Sequence, residues 1–327
     1  MTRILVQGMH GLGDNLHQRA IVRQIAERCD EVWLETSWSS LYEDLPKVRP
    51  IFKRTALRTQ TKNAQREATR FTESARLPPF NQTVRVWYPP VEVRRHGSVL
   101  AAMCHVTGTD YARADFSLQV PNHWREQAEA VLGPRPDKPL LVYRPLVDRT
   151  EWSGCRNRNP EAIAYNELFR FIRDRFYVVS IADLIPGKEW MVGCIAANPD
   201  FTAHAGEFHF EALAGLFSLA SMVFASPGFA VPLAQAVGTP VVAVFGGYED
   251  ASSFAGGARH APYHPIQPIR PCQCFSHTHQ CVKAIDVDAA IEPLRKFADV
   301  ATKDFAGFLW QFGCGYARAA AALHESG

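Results

Sequence analysis

At 327 residues and 47% hydrophobic content, the chain has the size of two α/β domains of about 150 residues each. No apolar stretch approaches the ~20 residues of a membrane span, and Met1-Thr2-Arg3 runs straight into a strand pattern. This argues against a transmembrane helix and a secretory leader and leaves peripheral membrane contact open; eight cysteines at a net charge of +2 then point to the reducing cytoplasm, where thiols stay free or bind metal.

The first strand runs from Arg3 to Gln7 around Ile4-Leu5-Val6. His10-Gly11-Leu12-Gly13-Asp14 follows, with two glycines for a tight turn and Asp14 opening a helix whose apolar stripe is Leu16, Ile21 and Ile25 and which ends near Cys29. A carboxylate is thereby set at the carboxyl end of the first strand, where open α/β sheets do chemistry. The glycines invite a dinucleotide-binding reading, but that fingerprint needs a third glycine and an acid about 20 residues on. Arg19 stands at the far end of the turn, and Asp30 and Glu31 precede the second strand, Val32 to Leu34, rather than ending it. Asp is also a favoured N-cap, so a capping role for Asp14 stands beside the chemical one. His17, one turn on, reads either as a contact to a bound group or as a satisfied, partly buried histidine. Trp33, Trp38, Trp87 and Trp124 read as packing aromatics.

From Lys47 to Arg95 twelve cations face only Glu67, Glu73 and Glu92, an excess of nine positive charges in a chain whose total is +2. A field of that sign concentrates an anionic partner. Within this run Thr55 to Gln82 is polar enough to form a solvated flap. Pro134-Arg135-Pro136-Asp137 makes a break, after which Pro139 to Tyr143 restarts the strand–helix alternation. A helix over about Pro160 to Arg175, a strand Tyr177 to Ser180 and a loop with Pro186-Gly187-Lys188 follow. His209 to Ala220 has helical spacing, Met222 to Ala225 reads as a strand, Ser226-Pro227-Gly228 as a turn, and Val231 to Val237 as a small-residue helix. Gly238-Thr239-Pro240 stops that helix before a strand Val241 to Phe245 that ends in Gly246-Gly247. Glu249 and Asp250 lie just beyond. Cys272, Cys274, His277 and Cys281 offer three thiolates and an imidazole for a tetrahedral zinc site, but Cys-x-Cys is tighter than the usual spacer, and free structural thiols are the default. A last helix is expected over about Asp304 to Glu325, and no internal repeat is evident.

The order helix, strand, glycine turn, helix, Gly-Thr-Pro, strand, Phe-Gly over residues 205–247 resembles the donor domain of glycosyltransferase family 9, the ADP-heptose:lipopolysaccharide heptosyltransferases. Residues 1–30, with the Gly-Leu-Gly-Asp turn, resemble that family's amino-terminal strand, turn and helix. The resemblance implies the GT-B architecture: two Rossmann-like α/β domains facing a cleft, with residues 1–136 holding the acceptor, 137–303 the donor, and 304–327 a helix crossing back. It implies an inverting, metal-independent glycosyltransferase with a nucleoside-diphosphate sugar as donor, no required cofactor, and a lipopolysaccharide or other anionic surface saccharide as acceptor. Asp14 then takes the acceptor hydroxyl proton. The donor falls to Gly13, Arg144, Lys188, Ser226, Pro227, Gly228, Phe229, Gly246, Gly247 and Glu249, with backbone N–H groups of the Ser226 to Ala230 turn meeting the diphosphate. His10, His17, Arg58, Lys62 and Arg66 fall to the acceptor. Where the family carries an acidic Asp-Thr-Gly or Glu-Gly-Gly turn followed by a histidine, this chain has Ser226-Pro227-Gly228 with Val231 and Pro232. Two other readings stand beside this one: a DNA glycosyltransferase acting on hydroxylated bases, drawn by the basic run, and a catalytically silent nucleotide-sugar binding protein.

Overall fold

The computed structural model describes residues 1–73, 77–152, 156–193, 198–256 and 261–303. A first layer is built from β1 (Arg3–Gln7), α1 (Leu12–Glu27), β2 (Glu31–Thr36), β3 (Val48–Phe52), α2 (Arg58–Arg66), β4 (Gln82–Arg85), α3 (Pro90–His96), α4 (Val99–Thr107) and α5 (Asn122–Leu132). Its four strands are parallel in the order β3-β2-β1-β4, so β1 is interior, with Ile4 opposite Val32 on one side and Val6 opposite Val84 on the other. The second layer comprises β5 (Leu140–Tyr143), β6 (Val147–Arg149), α6 (Ala162–Arg173), β7 (Tyr177–Ile181), β8 (Glu189–Met191), β9 (Phe201–Ala203), α7 (Phe210–Leu219), β10 (Met222–Ala225), α8 (Ala230–Val237), β11 (Val241–Val244), β12 (Tyr263–Ile266) and α9 (Val287–Lys303). Six of these strands form a parallel sheet in the order β12-β11-β10-β5-β7-β9, while β6 and β8 make a separate antiparallel pair.

The runs LLVY, YVVSI, MVFA and VVAV are buried at every position. Continuous apolar strands are what a parallel sheet covered on both faces requires. On one face Tyr165, Leu168, Phe169 and Ile172 of α6 and Leu294, Phe297 and Ala298 of α9 bury Tyr143, Phe224 and Val242. The other core runs without a break from α7 and α8 into α1 and the first sheet. α8 ends at Gly238, whose φ of +84° favours glycine, and Thr239 Oγ1 donates to Phe217 O at 2.6 Å.

Two local expectations are revised, and one contact crosses between the layers. α1 starts at Leu12 with Gly11 as N-cap, so Asp14 lies inside the first turn and does not cap the helix. The expected flap carries α2, whose buried face is polar: Asn63 Nδ2 donates to Ser37 O at 2.8 Å, and Gln60 is also buried. α5, which precedes the proline break, packs on α7 of the second layer, and Leu118 N donates to Ala236 O at 2.7 Å. The helix expected over 304–325 lies outside the described residues. No helix among the described residues is long and apolar enough to cross a membrane.

Candidate active site

The carboxyl ends of β1, β5 and β10 open onto one cleft of about 670 Å³ between the two sheets. Gly13 sits where the layers meet: a Cβ there would stand 3.4 Å from Phe229 Cα and 3.5 Å from Pro232 Cγ, which is close contact without collision. At Gly11 a Cβ would fall 2.7 Å from an oxygen of the Asp14 carboxylate, so a larger residue there would displace that side chain. That carboxylate is folded back over the turn into the cleft.

Asp14 accepts a hydrogen bond from the Tyr88 hydroxyl at 2.9 Å. Removal from water raises its pKa above the usual carboxylate range, the Tyr88 bond and the Arg158 charge oppose this, and the Glu249 charge adds to it. Burial, then the Asp14 and Glu249 charges, push the Tyr88 phenol well above its ordinary value, so it stays a donor. Arg158 Nε donates to Glu249 Oε1 across the cleft lining. Asp14, Tyr88, Arg158 and Glu249 thus form one charge-coupled group, with the Asp14 carboxylate on the first layer and the Arg158 cation on the second.

The turn Ser226 to Ala230 lines the cleft, as do Gly13, His17, Lys62, Arg66, Arg144 and Glu249. Gly228 has φ +153° and open space where a Cβ would stand. His17 packs edge-on against Phe116 with ring centroids 5.1 Å apart. Arg144 is held by Ile181 O at 2.8 Å and Glu189 at 3.4 Å, with its guanidinium over the Phe229 ring.

Other sequence candidates fall elsewhere. Lys188 is exposed beside the β8 start, and neither it nor His10 belongs to the cleft lining among the described residues. The His10 carbonyl accepts from the Trp38 indole at 3.1 Å. Gly246 and Gly247 are glycines because other chain segments press on them: a Cβ would meet Asn159 O at 2.2 Å and Cys281 Cβ at 2.3 Å respectively. Arg58 and Lys62 reach the opposite wall, where Arg58 pairs with Asp183 at 2.7 Å and Glu189 at 2.5 Å, and Lys62 with Asp183 at 3.0 Å. Arg70 pairs with Glu43 and Glu211. The basic run that suggested DNA is therefore partly neutralised by acids of the chain itself.

The thiol cluster gathers Cys272, Cys274, Cys281 and His279, in place of His277. Phe275 takes φ +51°, and the turn from Cys274 carries His277 out to the Tyr248 ring, centroids 5.4 Å apart, before returning His279 to the sulfurs. Sequence spacing did not single out Arg158 or Tyr88. The one local sign of Arg158 is a cation two residues before Pro160, at the entry to α6.

No protein-family model and no curated protein sequence matches the chain. Solved structures match its fold. Glycosyltransferase family 9 from Veillonella parvula DSM 2008 is 12% identical with a TM-score of 0.58, covering 91% of this chain and 97% of that one. E. coli ADP-heptose LPS heptosyltransferase II is 12% identical with a TM-score of 0.57, covering 91% and 98%. The iron-containing dodecameric glycosyltransferase TibC from enterotoxigenic E. coli H10407 is 16% identical with a TM-score of 0.58, covering 96% and 77%. The GT-B architecture expected from the family 9 resemblance, two parallel α/β sheets with their helices facing a cleft, is thus the fold of this chain.

Proposed function

We propose that the protein is an inverting glycosyltransferase that moves a sugar from a nucleoside-diphosphate sugar to a hydroxyl of an anionic saccharide. One observation carries this reading: the Asp14 carboxylate of the first layer faces Arg158 and the open Ser226 to Ala230 turn of the second across a single cleft. Base and leaving-group cation on opposite walls suit a displacement in which the acceptor oxygen enters opposite the departing diphosphate, and that inverts the anomeric centre. The acceptor O–H proton passes to Asp14 as the new C–O bond forms. The bond to the diphosphate breaks with its electron pair on the leaving oxygen, where Arg158 and backbone N–H groups at the α8 start meet the growing charge. The chain itself supplies base and cation, so this chemistry asks for no metal at the reacting atoms. An ADP-linked heptose, after the heptosyltransferases that share the fold, is the first donor to try, and lipopolysaccharide core the first acceptor, with Arg66 in the cleft lining as a contact for its phosphates.

The test is release of nucleoside diphosphate from a panel of nucleotide sugars, with and without acceptor. Asp14→Asn should keep diphosphate affinity and lower transfer by roughly 10²- to 10⁴-fold, the usual worth of a positioned base. Binding without turnover of any donor by the unaltered protein would instead identify a silent nucleotide-sugar binding protein.

A further inference from the structure

Three sulfurs and one ring nitrogen lie together in the loop after β12, all within 4.8 Å of one another. Cys274 Sγ is 3.6 Å from Cys281 Sγ, Cys272 Sγ is 3.5 Å from His279 Nδ1, and His279 Nδ1 is 3.4 Å from Cys281 Sγ. With metal–sulfur bonds of ~2.3 Å and metal–nitrogen bonds of ~2.0 Å, the edges of a coordination tetrahedron are about 3.8 Å between two sulfurs and about 3.5 Å between sulfur and nitrogen. The three measured separations come within a few tenths of an ångström of those edges. Backbone amides already point at two of the sulfurs, Ser276 N to Cys274 Sγ and Tyr248 N to Cys281 Sγ, each at 3.4 Å, as thiolate ligands require of their surroundings.

We propose that Cys272, Cys274, His279 and Cys281 form a tetrahedral centre for a thiophilic divalent cation, Zn(II) or Fe(II), and that this centre clamps the segments presenting Arg158 and Glu249. Cys281 seats directly on Gly247, two residues before Glu249. Phe275 N donates to Tyr248 O at 2.8 Å, which fixes the same strand of loop from the other side. On the Arg158 side, Asn157 Nδ2 donates to the His279 and Ser276 carbonyls, and Lys283 Nζ donates to Arg156 O at 2.6 Å. The loop thus grips the neighbours of both members of the Arg158–Glu249 pair. A cation joining Cys272 and Cys274 to His279 and Cys281 would close the loop on itself and lock those grips. The clamp, though not the centre itself, rests on the reading of Arg158 as the diphosphate contact.

The experiment is elemental analysis of the full chain purified under reducing conditions without added metal, followed by pyrophosphate binding by calorimetry. About one equivalent of zinc or iron per chain is expected, the elemental analysis itself distinguishing the two. Cys274→Ser should lose the metal and weaken pyrophosphate binding roughly tenfold or more, whereas His279→Cys, which preserves a four-ligand set, should keep both. A metal-free protein that stays metal-free on incubation with zinc or iron, or one with Cys274 joined to Cys281 by a disulfide, overturns the centre. Pyrophosphate affinity unchanged by loss of the metal overturns the clamp. A stoichiometric metal in a protein that turns over no nucleotide sugar supports the centre and counts against the proposed activity alone.

Discussion

Tyr88 and Asp14 are coupled through one hydrogen bond, and the direction of that coupling can be measured. Asp14 must be ionised to accept a proton, and removal from water holds its pKa above the ordinary carboxylate value while the Tyr88 donor pulls it back. Activity should therefore fall on the acid side at a higher pH than a solvated carboxylate would give. Tyr88→Phe deletes a lowering influence and leaves the burial, so the acid limb of kcat/KM should move to still higher pH. A pH–rate profile of the two proteins checks this, and an unmoved limb would take Asp14 out of the titration that governs the rate. The stability sign is opposite to that of a salt-bridged carboxylate. A raised folded-state pKa favours the folded protein most below the unfolded value, and that contribution is lost as pH rises through the folded pKa.

Helix-to-helix contacts were the hardest feature to foresee from the chain. At Gly215 in α7 a Cβ would stand 2.1 Å from Trp124 O of α5, so the two helices touch through backbone. Gly215→Ala must push them apart and should cost about 1–3 kcal/mol, read as a lower denaturation midpoint. Nothing local in α5 announces this partner, since sequence order assigns the helix to the first layer. Elements with strong periods were legible: β1, β5, β7, β10, α7 and α8 lie within a residue or two of their apolar patterns. α2 was not, because its buried face carries Gln60 and Asn63, the latter hydrogen-bonded to Ser37 O, and shows no apolar stripe. The Gly13-Asp14 and Ser226 to Ala230 turns, legible as turns at strand ends because backbone geometry constrains their residue types, both line the cleft. Arg158 and Tyr88 were missed because they meet Asp14 from separate loops, a proximity made only by folding. Choosing His279 over His277 depended on the conformation of the intervening turn, to which ligand spacing is blind.

At the scale of the whole molecule, the two layers meet at an apolar contact and at an ionic one. Gly13 against Phe229 and Pro232 forms part of the first, whereas the second joins α2 to the β7 end and β8 through Arg58, Lys62, Asp183 and Glu189. Glu189 is almost fully buried, its side chain 1% exposed, and is also approached by Arg144 at 3.4 Å and Arg149 at 3.2 Å. Departure of Arg58 would therefore leave that carboxylate paired with two guanidinium groups of its own layer, avoiding the large penalty of an orphaned buried charge. Asp183 keeps no such reserve among the described ion pairs, both of its partners coming from α2. The Arg58–Asp183 contact should thus behave as a reversible fastening between the layers, with energetic coupling that a double-mutant cycle can isolate. Arg58→Ala and Asp183→Ala, singly and together, should give a non-additive stability difference of about 0.5–3 kcal/mol, because either single substitution already removes the shared Arg58–Asp183 pair, while the Arg58–Glu189 and Lys62–Asp183 pairs are lost one to each substitution. Both variants should slow transfer more than they weaken pyrophosphate binding, since the proposed diphosphate contacts lie on the second layer while the proposed base lies on the first. Strict additivity together with unchanged turnover would show that α2 contributes charge to the cleft without holding it closed.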